Sequence, residues 1–209
     1  MNPVSYAFLE NAPVIPVIAI QKLEHAVPLA EALVAGGIMN LEVTLRTAHG
    51  LKAISLIRDQ VKGANVGVGT VCNATEFDAA ADAGANFVVS PGQSDALFER
   101  ALLTNIPFLP GAVTATEVMA AKEAGFNVLK FFPASTSGGA AAIKAFGGPF
   151  ADLQFVPTGG INLDNAGSYL SLSNVRAVGG SWLTPADAIQ NGQWEHITQI
   201  AREASQLGA

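Results

Sequence analysis

The strongest chemical signal in the chain is a lysine in an apolar run. Lys130 lies in Val128-Leu129-Lys130-Phe131-Phe132, whereas Lys22, Lys52, Lys62, Lys122 and Lys144 all fall in helical or loop segments suited to solvated cations. Removing an ammonium from water disfavours its charged form. A neutral amine is the nucleophile that carbinolamine and imine formation needs. The second signal is Asn40 to Arg46, where Leu41, Val43 and Leu45 alternate with Asn40, Glu42, Thr44 and Arg46. A period of two sends the polar set to one strand face, with Glu42 and Arg46 roughly 13 Å apart and room for a small ligand between them. A carboxylate beside an imine-forming lysine can shuttle protons during dehydration and at the adjacent carbon. The alternative is structural: Glu42 paired with Arg46, or Lys130 neutralised by Glu42 with no chemical task.

Two glycine pairs follow later runs, in Pro157-Thr158-Gly159-Gly160-Ile161 and Gly179-Gly180-Ser181-Trp182. Thr184-Pro185 reads as an N-cap and first helical residue opening a short helix over Ala186 to Gln190. Backbone N–H groups of such loops, together with a helix N-terminus, suit a phosphate, although plain tight turns would use the same residues. With no basic residue inside either cluster, amides and Ser181 would carry that contact. Thr70 closes Gly67-Val68-Gly69-Thr70, where its hydroxyl suits a substrate carboxylate or hydroxyl, or serves only as a cap. Pro91, in Ser90-Pro91-Gly92, is expected to shape the site's mouth, and Cys72, the sole cysteine, to pack rather than react. His25, His49 and His196 show no metal-ligand spacing, so neither a metal nor a cofactor is expected.

Positioning these groups requires a regular frame. Runs rich in Val, Ile and Phe alternate with Ala-rich amphipathic stretches. Strands are expected at Val14 to Ile20, Met39 to Arg46, Val66 to Val71, Phe87 to Pro91, Phe108 to Val113, Val128 to Ala134, Gln154 to Thr158 and Val175 to Val178. Helices fill the intervals, and Trp194 to Leu207 closes the chain. Strand–helix alternation implies a parallel sheet with right-handed crossovers, and eight such pairs are the count of a (β/α)8 TIM barrel. The rival, a doubly wound open sheet, would carry a glycine-rich turn after its first strand, and Ile20-Gln21-Lys22-Leu23 has none. In a barrel, both strand faces are buried, so Glu42 and Lys130 are costly unless used.

With 209 residues, 50% of them hydrophobic and 13% charged, the chain is expected to form a single domain over residues 1–209 with a short N-terminal extension. A net charge of −6 gives a nucleic-acid partner no broad electrostatic support. No run is long enough to span a membrane, and Met1 to Ala12 lacks the form of a signal peptide, so a cytoplasmic protein acting on a small molecule is the expectation. Sugar-phosphate isomerases and epimerases, and non-catalytic phosphate-binding barrels, share this frame. The former would want a histidine or a metal-binding carboxylate set at strand ends, and the latter has no use for a lysine among phenylalanines.

From Pro13 to the C-terminus the sequence resembles the 2-keto-3-deoxy-6-phosphogluconate (KDPG) and 4-hydroxy-2-oxoglutarate (KHG) aldolases. The resemblance is carried by Leu41-Glu42-Val43-Thr44-Leu45-Arg46-Thr47, Gly69-Thr70-Val71, Lys130-Phe131-Phe132-Pro133-Ala134, Pro157-Thr158-Gly159-Gly160-Ile161 and Gly179-Gly180-Ser181-Trp182-Leu183. It implies a metal-free class I aldolase, usually a homotrimer, in the Entner–Doudoroff breakdown of sugar acids. It places the Schiff-base lysine on Lys130 and the acid/base glutamate on Glu42. Arg46 and Thr70 would hold the pyruvate carboxylate, with Thr158 near the pyruvate end. Gly159, Gly160, Gly180 and Ser181 would form the phosphate loops. Two departures stand out: Ser135 occupies a position where the family often has Glu, and Val68 one where Ala is usual.

Overall fold

The computed structural model describes residues 5–10 and 12–207; the remaining positions of the N-terminal stretch and of the C-terminal end of the expected domain lie outside the described residues. Strands and helices alternate as β1 (Val14–Ile18), α1 (Ala26–Ala35), β2 (Asn40–Thr44), α2 (Gly50–Gln60), β3 (Asn65–Gly69), α3 (Ala74–Asp82), β4 (Val88–Val89) and α4 (Asp95–Leu102). They continue as β5 (Phe108–Leu109), α5 (Ala115–Glu123), β6 (Val128–Phe131), α6 (Gly139–Phe146), β7 (Gln154–Pro157), α7 (Leu163–Leu170), β8 (Val178–Gly180), α8 (Ala186–Gln190) and α9 (Trp194–Ser205).

All strand pairs are parallel. Six strands form one curled sheet in the order β5-β4-β3-β2-β1-β8, and β6 pairs with β7. Parallel bridges Gly111↔Lys130 and Thr158↔Gly179 join the two sheets at both seams, giving the TIM-barrel arrangement expected from the alternation. Side-chain caps start the helices that follow β3, β4, β5 and β7: Asn73, Ser94, Thr114 and Asn162 each accept from a first-turn N–H. These caps fix the loops at the strands' C-terminal ends, where barrel sites are built.

The strands are shorter than the apolar runs that encode them. β4 and β5 keep two residues each, against an expected Phe87 to Pro91 and Phe108 to Val113. Pro91 and Pro110 lack the N–H that would extend the ladder. β8 is displaced: Val175 makes only an isolated bridge to Phe155, and pairing with β1 begins at Val14↔Val178. Gly179 and Gly180 therefore lie inside the strand rather than in a loop after it. The short helix also starts differently. Pro185 is its N-cap without a side-chain bond, while the Thr184 hydroxyl donates to the Ser181 carbonyl at 3.2 Å.

Apolar side chains form two layers. Leu41, Val43, Val66 and Val68 pack outward with helix residues such as Leu29, Leu33, Ile54 and Ile57. Ile15, Phe87, Val89, Leu109, Val128 and Val156 fill the interior. The segment expected as a simple extension completes that interior, since Leu9 belongs to it and Tyr6 and Phe8 pack against it. Phe8 stacks on Phe87 with centroids 4.6 Å apart. The Tyr6 hydroxyl donates to the Phe108 carbonyl at 2.8 Å, and burial pushes its phenol above the ordinary range. Asn40 Nδ2 donates to the Phe8 carbonyl at 2.6 Å, and Asn65 Nδ2 to Asn40 Oδ1 at 2.8 Å. Phe108, Asn40 and Asn65 are first residues of their strands, so the segment plugs the end of the barrel opposite the capped loops.

Candidate active site

Lys130 and Glu42 are the third residues of β6 and β2, strands four places apart in a ring of eight. Their inward side chains meet across the barrel, with Lys130 Nζ donating to Glu42 Oε1 at 3.1 Å. Both residues are only 3% exposed. The pair joins positions 88 residues apart in sequence. Phe132 stands beside the amine, its ring centroid 5.4 Å from Nζ. Gly69 backs the carboxylate: a Cβ there would lie 2.1 Å from Glu42 Oε1.

Arg46 departs from the expected strand face. β2 ends at Thr44, whose hydroxyl donates to the Ile18 carbonyl at 2.9 Å. Arg46 lies in the following turn and is exposed. It lines a cavity of ≈ 300 Å³ together with Val17, Lys22, His25, Ser181 and Thr184. Arg46 and Ser181 thus share the rim of one cavity, while the buried pair lies inside the barrel.

Thr70 follows Gly69 with φ +65°, in the left-handed region that β-branched residues avoid at a cost of about 1–3 kcal/mol. Its hydroxyl makes no hydrogen bond with a described group, so the turn is held in a costly conformation next to the glycine that packs on Glu42. Pro91 is half-buried, and its carbonyl presses on Gly111, where a Cβ would come within 2.2 Å. Cys72 does not pack as expected. It is exposed, and partial burial together with the Glu76 carboxylate pushes its thiol up, away from a reactive thiolate.

Thr158 is buried at the end of β7, its hydroxyl against Gly179, where a Cβ would lie 2.2 Å away. Gly159 and Gly160 follow with φ +101° and +71°. The Gly159 carbonyl accepts from the Ser135 N–H at 3.0 Å, and the Gly160 carbonyl from Asn165 Nδ2 at 2.9 Å. With both carbonyls tied back, the N–H groups of Gly159 and Gly160 have no acceptor among the described residues. Consecutive free N–H groups of this kind form an anion-binding concavity. Gly180, buried at the end of β8, lies beneath the Trp182 ring, and Ser181 is exposed beyond it. Among the described residues, Trp182 Nε1 is a buried donor without an acceptor, a feature with no local sequence signal. No cluster of three or more His, Cys, Asp or Glu side chains that could hold a metal ion occurs among the described residues, and no helix there is long and apolar enough to cross a membrane.

Residues 6–200 match the family described as KDPG and KHG aldolase. The chain belongs to this family. Its relatives include the 2-dehydro-3-deoxy-phosphogluconate aldolase of Dickeya dadantii, 50% identical over 196 residues that cover 94% of this chain and 92% of the relative. The KHG/KDPG aldolase of Escherichia coli is 48% identical over 198 residues, covering 95% and 93%. Among solved structures, the KDPG aldolase of Legionella pneumophila, with pyruvate captured at low pH as a covalent carbinolamine, superposes with a TM-score of 0.94. It is 44% identical, and the match covers 99% of both chains. Membership of the KDPG and KHG aldolase family agrees with the barrel.

Proposed function

We propose that this chain is a class I aldolase cleaving 2-keto-3-deoxy-6-phosphogluconate to pyruvate and glyceraldehyde 3-phosphate, and 4-hydroxy-2-oxoglutarate to pyruvate and glyoxylate. The observation that carries this reading is the buried contact of 3.1 Å between Lys130 Nζ and Glu42 Oε1. Burying two charged groups is costly, and a structural ion pair is often no better than apolar residues of the same volume, so the pair is better explained by chemistry.

In this mechanism the Lys130 amine attacks the C2 carbonyl of the keto acid. Glu42 relays the proton released by the nitrogen to the C2 alkoxide, giving the carbinolamine. A second proton, taken up from solvent and delivered by Glu42, turns its hydroxyl into water, which leaves. The protonated imine then accepts the electron pair of the C3–C4 bond as that bond breaks, while Glu42 accepts the proton of the C4 hydroxyl. Release of the aldehyde leaves an enamine. Protonation at C3 and hydrolysis of the imine give pyruvate and restore the amine. Arg46 and Thr70 hold the carboxylate, and Thr158 packs near the pyruvate end. Pro91 shapes the mouth. Gly159, Gly160, Gly180 and Ser181 hold the phosphate through backbone N–H groups and one hydroxyl. No metal or cofactor enters any step. We assign the molecule one domain, a homotrimeric assembly and a cytoplasmic location. The isomerase alternative loses its support because His25, His49 and His196 all lie outside the strands.

Incubation with pyruvate and borohydride, followed by peptide mass spectrometry, tests the nucleophile: a reduced pyruvyl adduct is expected on Lys130. A folded protein that takes up no adduct, or takes it up on another lysine, would sink the assignment. A second expectation concerns Gly69. Its Cβ in Gly69→Ala would fall 2.1 Å from Glu42 Oε1, so the carboxylate must turn away from Lys130. A displacement of about 1 Å in a catalytic group costs about 10²-fold, so kcat should drop by that order in a steady-state assay. Wild-type kcat in Gly69→Ala would show that the Glu42 position does not matter.

A further inference from the structure

The base of the barrel holds a buried polar chain that the mechanism above does not use. Asn40 opens β2 two positions before Glu42, so both side chains point inward, about 6.6 Å apart along the strand. Asn40 is only 5% exposed, and both ends of its amide are bonded. Nδ2 donates to the Phe8 carbonyl at 2.6 Å, and Oδ1 accepts from Asn65 Nδ2 at 2.8 Å. Asn65 is its ladder partner at the start of β3, the strand whose last residue, Gly69, packs on Glu42 Oε1. One side chain thus ties β2 both to the N-terminal segment and to β3, at the end opposite the capped loops. An amide in an apolar interior is costly unless its bonds are made, and once made they hold a single arrangement.

We propose that Asn40 is a positioning residue for Glu42, setting β2 through the Phe8 carbonyl and Asn65 so that Glu42 Oε1 meets Lys130 Nζ. This inference rests on the aldolase reading. β2 has only five residues, Asn40 to Thr44, with Glu42 at the centre. A shift at either end therefore reaches the carboxylate, because close-packed interiors transmit displacement rather than absorb it. Thr44 anchors the far end, its hydroxyl bonded to the Ile18 carbonyl at 2.9 Å, and Asn40 anchors the near end. Tyr6 supplies the comparison. Its hydroxyl also joins the N-terminal segment to a strand, by a bond of 2.8 Å to the Phe108 carbonyl. That strand is β5, which carries neither member of the reacting pair nor Gly69. Both bonds hold the same segment, but only the one from Asn40 leads to the proton shuttle.

The test compares Asn40→Leu, Asn40→Ser and Tyr6→Phe with the wild type, and repeats both changes at position 40 in the Glu42→Gln background. Four quantities are read: kcat for cleavage of KDPG, exchange of the pyruvate methyl protons with solvent deuterium, half-saturation by pyruvate in borohydride trapping, and Tm. Misplacing a catalytic group by about 1 Å costs about 10²-fold, so both Asn40 variants should lose about 10-fold or more in kcat and in exchange. Half-saturation by pyruvate should stay within about twofold of the wild type, since the loss lies in chemistry and not in binding. Asn40→Ser keeps a polar group at the base and gives the same reading should Asn40→Leu not fold. Tyr6→Phe should lower Tm while both rates stay within about twofold, the agreement expected of independent sites. In the Glu42→Gln background the Asn40 changes should cost nothing more, because a residue acting only through Glu42 has no target once the proton acceptor is gone. Equal losses in both backgrounds, rates that follow Tm alike in the Asn40 and Tyr6 variants, or failure of both Asn40 variants to fold would make Asn40 a stabilising residue and overturn the proposal. Wild-type rates in both Asn40 variants would do the same. Absence of trapping in the wild type would instead overturn the aldolase reading, and this inference with it.

Discussion

Lys130→Ala should lose at least about 10⁴ of the wild-type turnover, because among the described residues Lys130 is the only buried lysine and what survives is binding alone. The same change should lower stability. It leaves Glu42, 3% exposed, without its partner, and breaking a buried pair from one side costs about 3–5 kcal/mol. For a domain of this size that corresponds to a fall in Tm on the order of 10 °C. Circular dichroism should therefore show a folded but less stable barrel, with neither pyruvyl adduct nor aldehyde release in the same sample. Turnover within tenfold of the wild type would remove Lys130 from the mechanism. Loss of turnover with unchanged Tm would instead contradict the buried pairing, since a solvated lysine can be removed at little cost.

Glu42→Gln is expected to separate binding from chemistry. The substitution keeps the side-chain shape packed on Gly69 and removes the charge and the ability to accept a proton. General acid–base catalysis contributes about 10²–10⁴-fold, so kcat should fall by that amount. Half-saturation by pyruvate in the trapping assay should move far less, because Arg46 and Thr70 carry the carboxylate contact in the proposed mechanism. Exchange of the pyruvate methyl protons with solvent deuterium, followed by NMR, isolates proton transfer at C3 from the aldehyde chemistry. It should slow in parallel with kcat. The reverse pattern, with pyruvate affinity lost and exchange at the wild-type rate, would make Glu42 a binding group rather than a proton shuttle.

These two residues were legible in the sequence because each breaks a local rule. Lysine among Val, Leu and Phe, and glutamate between Leu41 and Val43, are expensive in a strand buried on both faces, and that expense points to use. That they touch was not legible. The contact depends on β2 and β6 facing each other across a closed ring, and neither segment encodes the other. Arg46 shows the limit of periodicity. Alternation over Asn40 to Arg46 continues past the point where pairing with β3 ends at Thr44↔Gly69, so the arginine reaches the rim from a turn rather than from the strand face. Gly179 and Gly180 show the opposite error. Two glycines suggest a turn, but here they are extended strand residues whose missing side chains admit Thr158 and Trp182. The bond from the Ser135 N–H to the Gly159 carbonyl has no sequence signature, since it joins two loops that only the β6–β7 pairing brings together.

The sequence by itself determined the number, type and order of the elements, because apolar periodicity and capping residues act within a few positions of the backbone they organise. Helix α7 starts directly after Asn162, whose side chain accepts from the N–H groups of Asp164 and Asn165. Only the tertiary structure decided where strands stop, how β8 registers against β1, and that residues 6–9 fill the base of the barrel. It also decided that Lys130 Nζ and Glu42 Oε1 stand 3.1 Å apart. Ladder register and barrel closure are set by pairings between distant segments, and the free energy that selects them belongs to the closed ring rather than to any one stretch of chain.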